Sequence, residues 1–119
     1  MLKLKKVDTV ALPVDIRLPT EKPGEFNTGK ITAHVRIRSR DQVRELTERE
    51  LSDEEVIREL VTAVDGLGDA EGNPVTGDAA IAEVTSGAWS NFLTAAILQA
   101  YFDQYGEARV KNSAPSRRR

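Results

Sequence analysis

The chain has 119 residues, 39% of them hydrophobic and 30% charged, with a net charge of −2 and no cysteine. That is enough for one domain with a modest core, and too apolar for wholesale disorder. The composition excludes disulfides, thiolate nucleophiles and cysteine metal sites. No apolar run approaches the roughly 18 residues that a membrane helix requires.

Charge is segregated along the chain: residues 1–44 carry +5, residues 45–107 carry −12 and residues 108–119 carry +5. Such blocks favour contact between oppositely charged surfaces, including head-to-tail contact between copies. The plainer reading is that each block is a solvated face. The start, Met1-Leu2-Lys3-Leu4-Lys5-Lys6, lacks the apolar stretch of a signal peptide, which argues for the cytoplasm.

The first predicted element is a strand. Leu12, Val14, Ile16 and Leu18 alternate with Pro13, Asp15 and Arg17, the period of a half-buried strand. Pro13 cannot donate to a ladder and so points to an edge or a strand start. Residues 19–24 form a loop. A second strand follows, with Ile31, Ala33, Val35 and Ile37 alternating with Thr32, His34, Arg36 and Arg38. The two make an antiparallel hairpin, which is marginal alone and must cover a helix or another chain.

Helices take over at Ser39, where Ser39-Arg40-Asp41-Gln42 fits a capping box before a short face of Val43 and Leu46. Ser52-Asp53-Glu54-Glu55 is a second capping box. Val56, Ile57, Leu60, Val61 and Val64 then read as one continuous helical stripe that Gly66 stops in a left-handed cap. After the turn-rich residues 66–74, Thr76 or Asp78 caps a short helix through Ile81 and Val84, and Gly87 breaks or bends it. The last helix presents Trp89, Phe92, Leu93, Ala96, Ile97, Ala100 and Tyr101 on one side. The expected fold class is α+β: an N-terminal antiparallel β-hairpin packed on a bundle of about four helices, with a disordered basic C-terminal tail.

Chemistry-bearing motifs are few. Residues 24–31 match the G-x-x-x-x-G-K part of a phosphate-binding loop. Ile31 stands where Ser or Thr should hold magnesium, and the segment leads into a strand rather than a helix, so a hairpin loop is expected. Asp69-Ala70-Glu71-Gly72-Asn73 resembles the start of a calcium loop, but Pro74 and Ala80 occupy the positions of the required Gly and Glu. Its acids are read as turn formers and caps. His34, the only histidine, lies on the polar strand face, where general-base work would need a carboxylate or nucleophile supplied by folding. No cofactor, metal site or catalytic residue is expected. Arg36, Arg38 and Arg40, with the terminal arginines, could touch nucleic acid. The acidic pI near 5.5 and the lack of interleaved aromatics argue against it. Trp89, Phe92 and Tyr101 are read first as core, and otherwise as a protein-binding ridge.

The order of these pieces resembles a family. The hairpin around Val14-Asp15-Ile16 and Ala33-His34-Val35-Arg36 leads through an acidic helix entry to Val61-Thr62-Ala63-Val64-Asp65-Gly66-Leu67. Asp69-Ala70-Glu71-Gly72-Asn73-Pro74-Val75 follows, then Ala100-Tyr101-Phe102 and Val110-Lys111-Asn112-Ser113. This looks like the tail assembly chaperones of long-tailed bacteriophages over about residues 10–113. The resemblance implies one domain, residues 1–113, before a tail at 114–119. It also implies a non-enzymatic protein of the host cytoplasm that binds the tape-measure protein, promotes polymerisation of the tail-tube protein and leaves before the virion is complete. Many such proteins have a longer frameshifted form, and several self-associate into rings or spirals. The expected self-contact sets the basic hairpin, with Arg36 and Arg38, against the acidic 45–71 region, with Glu54 and Glu55. Trp89, Phe92 and Tyr101 complete the candidate partner-binding residues. The competing readings are a structural tail or connector protein retained in the particle and, further off, a small nucleic-acid-binding regulator.

Overall fold

A computed structural model describes residues 1–5 and 7–105. The two alternating runs form long strands, β1 (Thr9–Pro19) and β2 (Phe26–Arg36), paired antiparallel from Thr9 opposite Arg36 to Pro19 opposite Phe26. Their apolar residues Leu12, Val14, Ile16, Ile31, Ala33 and Val35 share one face and are buried. Pro13 lies on an outer strand, since β1 is at the end of the sheet. β2 begins five residues earlier than the sequence suggests. Asn27, Thr28, Gly29 and Lys30, read as loop, pair with β1, and the true loop is residues 20–25 with Gly24 at φ 84°.

Both capping boxes close. Ser39 starts helix α1 (Arg40–Glu48), its oxygen accepting from the Gln42 amide while Gln42 accepts from the Ser39 amide. Ser52 and Glu55 do the same for α2 (Asp53–Leu60). Val43 and Leu46 are buried as expected.

The helical stripe expected to run through Val64 does not. α2 ends at Leu60, and Val61–Asp65 is a strand, β3, antiparallel to β2. A bulge explains the deceptive spacing. Val35 faces Val61 while His34 faces Ala63, so Thr62 is an extra residue, and its hydroxyl donates to the His34 carbonyl at 3.2 Å. One inserted residue shifts the parity of a strand, so positions three apart return to the same face. Val61 and Val64 are accordingly both buried, as they would be on a helix. The β-branched run Val61-Thr62-Ala63-Val64 prefers the strand, and the free edge of β2 supplies its ladder. Gly66 has the positive φ (101°) expected of it, but it ends a strand rather than a helix. A Cβ there would sit 3.2 Å from both Ile31 Cα and the Lys30 carbonyl.

Residues 66–74 fold into a miniature hairpin of β4 (Leu67–Gly68) and β5 (Pro74–Val75). Thr76 then occupies the N-cap of α3 (Gly77–Ser86) without a side-chain hydrogen bond, and Gly87 ends that helix. A Cβ on Gly87 would lie 2.7 Å from the Glu83 carbonyl oxygen. α4 (Ser90–Tyr105) lies on the sheet with Leu93, Ile97 and Tyr101 buried. A hairpin extended by a third strand, with four helices, is thus the observed α+β architecture. The exit around Lys111 to Ser113 and the tail at 114–119 lie outside the described residues.

Candidate partner-binding surface

The third strand covers only part of β2. β3 pairs with Thr32 to Val35 and then turns away at Gly66, so on that side residues 26–30 have no strand neighbour among the described residues. A cleft of about 600 Å³ runs along this free edge. Its floor is the distal core face of the hairpin, Ile16, Leu18 and Ile31. Leu67 and Val75 of the miniature hairpin form one wall, and Trp89 and Leu93 close the end. Gly29 stands opposite Ile16 on the same face, and a Cβ there would meet nothing within 4 Å. The missing side chain is part of the cleft.

Two acids line the same cleft. Asp69 is held in its turn: its carboxylate accepts from the amides of Asn73 at 2.9 Å and Glu71 at 3.0 Å. The Asn73 amide bond is the main reason its pKa lies below the ordinary carboxylate value. Glu83, on α3, is the other. Lys30 also borders the cleft but lies 3.7 Å from Asp15 in an exposed ion pair.

The aromatic stripe divides. Tyr101 is core, only 1% exposed, and burial raises its pKa above the usual phenol value. Trp89 and Phe92 are not core: they are 41% and 43% exposed, with ring centroids 5.8 Å apart. The buried line of α4 descends Leu93, Ile97, Tyr101; Phe92 falls one residue off it, about 100° around the helix, and Trp89 precedes the helix.

The remaining candidates have local partners. Arg36 donates to the Glu59 carbonyl at the end of α2, 2.6 Å away, placing a cation at the negative pole of that helix. Arg38 is half-buried just beyond β2. Glu54 accepts from Arg58 one turn on at 3.1 Å, and Glu55 belongs to the Ser52 cap, whose bonds lower its pKa. These seven residues therefore fall in three places rather than one site. Arg36, Arg38 and Tyr101 meet at one end of the sheet, Glu54 and Glu55 lie on α2, and Trp89 with Phe92 sit at the other end of α4. Folding does bring His34 a carboxylate, Asp65, with Nε2 2.7 Å from Oδ2. No described hydroxyl bonds its other ring nitrogen.

Among the described residues no group of three His, Asp or Glu could hold a metal, and no helix is long and apolar enough to cross a membrane. Comparison with known protein families, with curated proteins and with solved structures finds no match to this chain.

Proposed function

We propose that this chain is a non-enzymatic assembly chaperone of a long-tailed phage, which binds the tape-measure protein in the host cytoplasm and promotes polymerisation of the tail-tube protein around it. The reading joins the sequence resemblance to one structural observation: Trp89 and Phe92 form an exposed aromatic pair beside a cleft. Large aromatics that stay in water on a small domain mark a contact surface, and Trp is the residue type richest in binding energy there. A tape-measure protein is long and helical, and its apolar faces need cover before the tube closes. A helix laid against Trp89 and Phe92 would give that cover.

Co-expression tests the proposal. The tape-measure protein of the same phage should stay soluble with this chain and aggregate without it. Mass spectrometry of purified particles should find the tape-measure protein and not this chain. Retention in the particle at stoichiometric amounts would make it a structural tail component instead.

A further inference from the structure

The free edge of β2 and the start of the chain have complementary requirements. Residues 26–30 present an unpaired row of backbone groups beside an apolar cleft, an arrangement that accepts an added strand. The described residues before β1, 1–5, 7 and 8, form an arm with no hydrogen bond to the other described residues. Within it Leu2 and Leu4 alternate with Lys3 and Lys5, the pattern of a strand with one apolar face. Both leucines are uncovered, 85% and 90% exposed.

The two leucines cannot lie along the edge of their own molecule. The arm joins β1 at Thr9, opposite Arg36, and the free edge begins five residues further along the hairpin, near Ile31. That edge lies about 17 Å along the strand and about 10 Å across it, a straight line of about 20 Å. The five residues from Leu4 to Thr9 span about 17 Å when fully extended, so Leu4 falls short of it. β1 offers an edge too, but Pro13 interrupts it, a device that guards strands against pairing.

We infer that the arm of one copy adds as a strand to the free edge of β2 in a second copy, with Leu2 and Leu4 over the gap at Gly29. With the leucines turned to the cleft, Lys3 and Lys5 turn to the opposite face of the sheet and stay in water. Because arm and cleft are different surfaces, the contact is head to tail and can propagate. It relocates the self-contact expected from charge, since within the hairpin Arg17 already lies 3.7 Å over the Phe26 ring and Arg36 is held by Glu59. The inference stands apart from tape-measure binding, because the chain alone should display it.

Sedimentation of the full chain over a concentration series is the test, with two variants that each spoil one half of the contact. Leu2→Ser/Leu4→Ser alters only exposed residues, and Val75→Lys puts a charge in the cleft wall. Each should weaken self-association by at least about tenfold, and mixing the two should restore a 1:1 dimer that grows no further. In the wild type, amides within residues 26–30 should gain protection from hydrogen exchange as concentration rises. A chain that stays monomeric at ~200 µM overturns the inference, as does association indifferent to the leucine variant. Loss of association on removing residues 106–119, with the leucine variant unaffected, would name the tail as occupant and equally overturn it. Protection appearing along β1 instead of residues 26–30 would do the same.

Discussion

The hydroxyl of Tyr101 donates to the carbonyl of Arg36 at 3.2 Å, tying the last helix to the end of the second strand. The same arginine holds the end of α2 through Glu59. One residue thus joins a strand to two helices, at the end of the sheet away from the cleft. Tyr101→Phe should keep the packing and lose the bond, costing about 1 kcal/mol, whereas Tyr101→Ala should cost about 3–5 kcal/mol. Urea denaturation of both variants reads the difference, and equal losses would show that the bond, not the ring, holds the junction.

Two glycines should respond in opposite directions. Gly66 needs its positive φ and touches the backbone of β2, so Gly66→Ala should destabilise by about 2 kcal/mol. Gly29 sits in a strand with open space beside it, so Gly29→Val should stabilise by about 0.5–1 kcal/mol through lower chain entropy. Thermal unfolding of the pair checks this, and a stabilised Gly66 variant would contradict the strand-ending turn.

The miniature hairpin should be sensitive to acid. In the folded chain the Asp69 carboxylate accepts from Asn73 and Glu71, which lowers its pKa, so the native state releases its proton more readily than the unfolded chain. Its contribution is therefore complete above the ordinary carboxylate range and disappears as pH falls through the lowered value. Amide shifts of Glu71 and Asn73 followed between about pH 2 and 7 should report that loss. Asp69→Asn, which keeps an acceptor without the charge, should flatten the curve, and Asp69→Ala should weaken the turn at every pH.

Much of this was legible because the signals are local. Alternation located the hairpin, and Ser39 and Ser52 announced their helices through caps written within four residues. β3 was not legible, because the Thr62 bulge gives a strand the spacing of a helix and only the ladder to His34 and Val35 reveals it. Residues 27–30 looked like a loop because they are polar, and among the described residues no strand pairs with them on the side away from β1. A clue was present: Ile16 and Leu18 continue the alternation of β1 and require strand partners as far as Asn27. Trp89 and Phe92 were misread as core for a related reason. Helical spacing tells which residues share a face, but not where the sheet beneath that face stops.

Trp89 is the chain's single tryptophan and stands 41% exposed, so its fluorescence reports on the proposed contact without a label. Titration with a tryptophan-free fragment of the tape-measure protein is the most direct measurement. We predict a saturable blue shift as Trp89 leaves water, and a loss of affinity of roughly thirtyfold in Phe92→Ala, the effect of removing one anchoring residue. Binding that leaves the emission unchanged, or no binding at all, would contradict the account.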